Sequence, residues 1–314
     1  MSVSSYQARD GFLLLNKKSG ESSFESLGDV KKAFGTGKVG HTGTLDKFAS
    51  GLLVVLIGKA VKLNFLFENC VKEYTGTILF GEETDTLDPE GAVIANGPIP
   101  SREMVESALG AFRGDIMQEP PAYSALHING RRAHELAREG KTPEMKKRPA
   151  TIHELEIVSW EAPEAIIHAK VSSGTYIRSL ARDIGLGAGT RARLSALRRS
   201  AVGPFHLEDA CKSVSDEAYG EENREAMLKA LRPLDKSLFN ALSLPCCYLS
   251  DKDAEAFLHG RSIDSLQQLL KQLPDQTESI SAAGVFTQDE PVKFLGVLSK
   301  RLDKWEYGYV FANN

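Results

Sequence analysis

The sequence predicts an α+β protein with a mixed or mainly antiparallel sheet flanked by helices, followed by a small β-rich C-terminal module. Strand-like runs closed by turn residues, at Gly11 to Leu15, Tyr74 to Phe80, Ile152 to Trp160 and Ala165 to Ser172, supply the sheet. Helical spacing at Ser101 to Phe112 and again from Thr175 supplies the helices. With 314 residues, 42% of them hydrophobic and 25% charged, the chain is long enough for one large domain and one small one.

Gly11 to Leu15 reads as a short buried strand, followed by a polar turn to Gly20 and a helix that Ser22 or Ser23 can cap. Gly35 and Gly37 end that helix, and an apolar run occupies Gly51 to Ile57. Glu82 to Gly91, rich in Asp, Thr, Pro and Gly, reads as a turn. Met104, Val105, Ala108, Leu109 and Phe112 then share one helix face. Gln118 to Arg148 is charged, begins with Pro120-Pro121 and lacks a strong apolar face except around Ala133 to Ala137, so it reads as a mobile excursion. In the helix from Thr175, Ile177, Leu180, Ala181 and Ile184 form the apolar stripe, while Arg178 sits in the first turn. A cation there opposes the helix dipole unless an anion pairs with it. Residues 205 to 232 read as acidic and mainly helical, and Pro233 to Pro245 as a linker. A short helix at Asp251 to Leu258, ending at Gly260, and strands at Val292 to Leu298 and Tyr307 to Phe311 make the tail. The expected domains are therefore 1–235 and 245–314.

The formal charge of −4 argues against a sequence-blind binder of nucleic acid. Basic residues are nonetheless concentrated at Lys141, Lys146, Lys147 and Arg148 and at Arg191, Arg193, Arg198 and Arg199. Cys70, Cys211, Cys246 and Cys247 make no CxxC pair and have no histidine at zinc-ligand spacing, so they read as reduced thiols without a metal. The apolar core at Phe12 to Leu15 is too short for a signal peptide, and no run reaches membrane-spanning length. The expected location is cytoplasmic.

Gly40-His41-Thr42-Gly43-Thr44-Leu45-Asp46 is the segment where chemistry is expected. Its glycines permit a tight turn and a close approach to a ligand, and His41 and Asp46 are its titratable groups. Taken alone, Asp46 would ordinarily cap a following helix, Tyr74 would pack in a core, and His41 would be structural. Gly35, Gly37 and Gly40 spell GxGxxG, but a probable helix precedes them, which is the wrong context for a dinucleotide site. Asp85, Asp88 and Glu90 lack the spacing of a calcium loop and read as a turn.

Six segments in order, GFLLLNKKSGESS, GHTGTLDKFASGLL, KEYTGTILFGEETDTLDPEG, PPAYSALHINGRRAHELAREG, SSGTYIRSLARDIG and LRRSAVGPF, resemble the bacterial tRNA pseudouridine-55 synthases of the TruB type. They span most of residues 11 to 205, and the tail resembles that family's small PUA-like RNA-binding module less specifically. The resemblance implies the pseudouridine synthase fold and the isomerisation of uridine 55 in the T loop of tRNA, with the nucleotide flipped out of its stack. It implies no cofactor, no metal, no membrane, and no guide RNA or obligate protein partner.

Residue by residue, Asp46 matches the family's catalytic aspartate, and Arg178 the arginine that pairs with it. Tyr74 matches the tyrosine that stacks on the uracil and transfers a proton in some accounts, and His41 a histidine tied to nucleotide flipping. Lys17 and Leu197 match pocket residues. Arg131, Arg132, Lys146, Lys147 and Arg148 of the thumb-like stretch, with Arg191, Arg193, Arg198 and Arg199, are expected on the RNA backbone. The chain departs from the family at Lys18 and Lys47, where the family's motifs carry prolines.

Overall fold

Leucines in succession need burial on both faces, and the first strand obtains it one place in from the edge of a large sheet. The computed structural model describes residues 10–124, 126–128, 130–141, 145–212, 220–260, 273, 281–301 and 304–311. Strand β1 (Gly11–Lys17) leads into helix α1 (Leu27–Phe34), which ends at Gly35 with φ 59°, a left-handed cap that glycine adopts without strain. Strands β2 (Val39–His41) and β3 (Ser50–Ile57), the short helix α2 (Phe65–Glu68) and β4 (Lys72–Phe80) follow. A small hairpin of β5 (Glu82–Thr84) and β6 (Val93–Asn96) precedes α3 (Arg102–Leu109), capped by the Ser101 hydroxyl, and β7 (Gly114–Gln118).

A second hairpin, β8 (His127–Ile128) with β9 (Arg131–Arg132), adjoins α4 (Ala133–Arg138). The long strand β10 (Arg148–Glu161) and its partner β11 (Glu164–Val171) lead to α5 (Ile177–Gly187) and β12 (Ala192–Val202). Short strands β13 (Phe205–His206) and β14 (Cys211–Lys212) and helix α6 (Glu221–Lys229) finish the large unit. Its sheet runs β14-β1-β3-β12-β4-β11-β10-β7, with β2 joined to β3 and β13 to β12. All pairings are antiparallel except β1 with β14 and β3 with β12. Helices α3 and α5 cover one face of its β4–β12 half.

The C-terminal unit consists of α7 (Lys236–Ala241), β15 (Cys246–Leu249), α8 (Asp251–Leu258), β16 (Ala282–Thr287), β17 (Phe294–Arg301) and β18 (Lys304–Val310), with its strands in the order β15-β16-β17-β18.

Several expectations are corrected. The stretch expected as a linker folds into α7, because Asp235 caps it and Leu238 and Phe239 are buried with Phe12, Leu14 and Val54 of the large sheet and Phe286 and Val297 of the small one. Residues 205–206 and 211–212 extend the sheet on either side of one 3-10 turn (Leu207–Asp209), since Phe205 fills the core and Cys211 pairs with Leu15. The described residues of 118–148 carry a hairpin and a helix, and Ala133, in the apolar part read there from the sequence, is buried. Of the two serines read as caps, Ser22 takes the role, its hydroxyl accepting from the Glu25 amide at 3.2 Å and its amide donating to the Glu25 carboxylate at 2.7 Å in the turn that enters α1, while the Ser23 hydroxyl is committed to the backbone of Leu45.

Candidate active site

The loop from Thr42 to Ala49 joins β2 to β3 and carries Asp46. It opens with the Thr42 amide on the Val54 carbonyl at 3.0 Å and closes with the Ala49 amide on the Asp46 carbonyl at 3.1 Å. A second segment, just after β1, braces it from one side. The Gly20 amide donates to the Lys47 carbonyl at 2.8 Å and the Ser19 hydroxyl to the Phe48 carbonyl at 2.6 Å. The Ser23 hydroxyl both donates to the Leu45 carbonyl at 3.0 Å and accepts from the Leu45 amide at 2.8 Å. Four exchanges in succession leave the loop little freedom on either side of Asp46.

Lys17 belongs to this brace. Its side chain is fully buried, and its ammonium donates to the carbonyls of Lys18 at 2.8 Å, Glu21 at 2.5 Å and Lys47 at 3.4 Å. Burial lowers its pKa to about 8, against the opposing pull of Glu21 and Asp46. The structure thus places Lys17 beneath the loop with its donors spent on backbone.

Arg178 reaches Asp46 from the first turn of α5. Its Nε donates to Asp46 Oδ2 and its Nη2 to Asp46 Oδ1, both at 2.9 Å, which is the two-pronged geometry of guanidinium on carboxylate. The remaining donors go to the Thr86 carbonyl at 2.9 Å and the Tyr123 carbonyl at 3.0 Å, and Asp88 lies 3.4 Å from Nη1. The Arg178 side chain is 6% exposed and that of Asp46 34%, so the cation is enclosed and the carboxylate looks out. The helix start is itself clamped, since the Gln118 amide donates to the Tyr176 carbonyl at 3.1 Å and accepts from the Tyr176 amide at 2.9 Å.

The floor lies on β4 and β12. Tyr74 stands opposite Arg199 and Gly76 opposite Leu197, so these side chains share one face of the sheet. Tyr74 and Leu197 are 8% and 7% exposed, leaving a narrow window on an apolar bed. Arg199 is 2% exposed. Its Nε donates to the Leu52 carbonyl at 2.8 Å and its Nη2 to the Gly43 carbonyl at 3.0 Å, tying the sheet to the Asp46 loop. Gly51 at φ 108° permits this, because a Cβ there would sit 2.3 Å from the Arg199 carbonyl oxygen. His41 is half-buried on β2, its Nδ1 enclosed without a hydrogen-bond partner. Burial, reinforced by Arg199, lowers its pKa, so the ring is neutral at neutral pH.

The expected RNA-facing arginines divide. Arg199 is a buried tie, which corrects its assignment to the surface. Arg193, with 15% of its side chain exposed, is held by Glu82 at 2.7 Å, and Arg191 pairs with Glu83 at 3.0 Å. Arg131 pairs with Glu139. Arg132 and Lys147 are exposed. Arg198, Lys146 and Arg148 are exposed too, and their side chains have no hydrogen-bond or ion-pair partner among the described residues.

Sequence reasoning missed Asp88, Thr86, Tyr123, Gln118 and Ser23. Asp88 was within the acidic turn read as a mere connection, yet it is 4% exposed and accepts from the Thr86 hydroxyl at 2.6 Å and the Glu90 amide at 3.0 Å. A surplus of short acids in one turn was the available signal. No cluster of His, Cys, Asp and Glu fit to hold a metal occurs among the described residues.

A carboxylate gripped by a buried arginine, beside an aromatic floor on a mixed sheet, is a candidate site for handling a base, and the comparisons with known proteins give the class of the chain. Residues 31–177 match the TruB family pseudouridylate synthase N-terminal domain, and residues 178–239 the tRNA pseudouridylate synthase B C-terminal domain. The tRNA pseudouridine synthase B of Gluconacetobacter diazotrophicus is 38% identical over 298 residues, 94% of this chain and 95% of that protein. Its namesake in Borreliella burgdorferi strain ZS7 is 46% identical over 211 residues, 66% of this chain and 75% of that protein. A solved Cbf5-Nop10-Gar1 complex shares the fold at a TM-score of 0.66 and 22% identity, covering 97% of this chain and 84% of that one. The chain belongs to the TruB family of pseudouridylate synthases.

Proposed function

We propose that this chain converts uridine 55 in the T loop of tRNA to pseudouridine, acting alone, without a guide RNA or an obligate protein partner, in the cytoplasm. The observation that carries the reading is the Asp46–Arg178 pair set over the Tyr74 floor in a chain of this family. The relatives' names supply tRNA as the substrate class. Isomerisation breaks the N1–C1′ bond, turns the uracil, and joins C5 to C1′; C5 loses a proton and N1 carries one, so nothing is gained or lost overall.

In this scheme Asp46 is the carboxylate at the sugar, held in place by the two-pronged grip of Arg178. Tyr74 offers its ring to the extruded base, and Leu197 excludes water beside it. The neutral His41 ring, half-buried on β2 at the start of the Asp46 loop, packs against the displaced nucleotide. Arg198, Lys146 and Arg148, whose cations are uncommitted, hold phosphates together with Arg132 and Lys147, and the four-stranded C-terminal unit acts as a PUA-like RNA-binding module. The test is to incubate wild type and Asp46→Asn with unmodified tRNA and map pseudouridine by position. Product from the Asn variant at the wild-type rate would refute the role of Asp46, and product confined to other positions would refute uridine 55.

A further inference from the structure

Strand β4 carries a buried charge that the scheme above does not use. Lys72 is 8% exposed, and two of its three N–H donors go to the Glu68 carbonyl at 3.3 Å and the Ser173 hydroxyl at 3.1 Å. Among the described residues no carboxylate pairs with it. An ammonium held out of water without an acid is costly and persists where something negative visits it. Its position says what visits. Lys72 and Tyr74 are two residues apart on one face of β4, and Arg199, opposite Tyr74 on β12, likewise has only carbonyl partners. Asp46 is meanwhile committed to Arg178. The sheet face under the Asp46 loop therefore carries two cations that form no ion pair with an acid among the described residues, Glu68 acting on Lys72 only at longer range.

We propose that Lys72 is a substrate-binding residue that takes a backbone phosphate flanking the extruded uridine. This rests on the reading of the site as one that isomerises a flipped uridine. Two residues along a strand advance a side chain by about 6.6 Å, the scale that separates a base from its own phosphate. With the base on Tyr74, a flanking phosphate comes to Lys72. A compact ammonium with a donor to spare suits a phosphate oxygen as a point charge. Ser173 lies in the turn that leads to α5, so the same ammonium links the phosphate to the segment that presents Arg178.

The test uses an unmodified T-arm hairpin and two versions in which the phosphate 5′ or 3′ of the target uridine is an uncharged methylphosphonate. Each is bound and turned over by wild type, Lys72→Met and Lys72→Arg. Lys72→Met should weaken binding about tenfold, as loss of one charge-assisted hydrogen bond does. The loss should fall on KM rather than kcat, with the slope of log affinity against log salt shallower by about 0.7. One methylphosphonate should cost wild type the same factor and Lys72→Met nothing more, and Lys72→Arg should retain most of the affinity. The proposal is overturned if wild type binds both neutralised hairpins as tightly as the parent, a result that needs no variant. It is overturned equally if the two losses add, or if kcat falls with KM unchanged, which would put Lys72 on the uracil. Absence of pseudouridine from the parent hairpin with wild type would instead sink the underlying reading.

Discussion

Replacing Arg178 by Met keeps the apolar stem and removes the guanidinium, which strips the cation from two carboxylates at once. Arg178 gives Asp46 two bonds of 2.9 Å and stands 3.4 Å from Asp88, whose side chain is 6% exposed. Removing one partner of a buried pair costs about 3–5 kcal/mol. Asp88 retains the Thr86 hydroxyl and the Glu90 amide, and Asp46, 34% exposed, regains water, so the low end applies, about 3 kcal/mol. For a urea slope of about 3 kcal/mol/M, the unfolding midpoint falls by about 1 M. Arg178→Lys restores the charge but not the fork, and should lose about half as much. A midpoint for Arg178→Met within about 0.2 M of wild type, or a Lys variant as weak as the Met one, would refute the reasoning.

Other residues give sharper contrasts. Arg198→Ala should weaken RNA binding and flatten its salt dependence without changing the unfolding free energy, whereas Arg199→Met should lower that free energy by about 2 kcal/mol or more by leaving the Leu52 and Gly43 carbonyls unpaired; equal behaviour of the two would refute the division. Gly51→Ala, which forces a Cβ against the Arg199 carbonyl, should destabilise by more than about 1 kcal/mol and cut turnover in a pseudouridine assay. The His41 ring should titrate below 6.5 by NMR, and a midpoint at or above that value would contradict its burial. Burial lowers the Lys72 pKa from 10.5 to about 8, with Arg199 adding to the effect and Cys70 and Glu68 opposing it. Between those values the unfolded chain holds a proton that the native chain has released, so wild type should gain stability relative to Lys72→Met as pH rises from about 8 to 10.5. A difference flat with pH in urea titrations would refute it.

The site was legible in the sequence wherever a single segment determines the outcome. Asp46, Tyr74 and Arg178 stand in short motifs, and the strand or turn that presents each follows from local pattern. Partners that depend on distant pairing were not legible from local pattern, and the match of Arg178 to Asp46 came only through the family resemblance. Arg199 looks like its neighbour Arg198, and only the alternation of β12 sends one side chain to solvent and the other under the Asp46 loop. Asp88 reads as one acid of a turn until Arg178 arrives from ninety residues away. The same holds for α7, whose six residues carry too little periodicity to announce a helix, and whose burial comes from two sheets meeting over it. Ser23 was read correctly as a hydroxyl seeking backbone, but it found Leu45 rather than a helix start.

The brace between residues 17–23 and 45–48 explains how this chain does without two prolines. Lys18 and Lys47 put flexible, solvated side chains at positions where a ring would otherwise fix the backbone angle, yet the Gly20 amide, the Ser19 and Ser23 hydroxyls and the Lys17 ammonium hold the same segment by cross-chain ties. Rigidity is thereby moved from covalent geometry into a network that spans two distant stretches of sequence. Only one side of that network is written in side chains, those of Lys17, Ser19 and Ser23, because its partners at 45, 47 and 48 are backbone atoms that any residue supplies. The shape of the Asp46 loop is thus encoded up to thirty residues upstream of it, in side chains that never reach the chemistry.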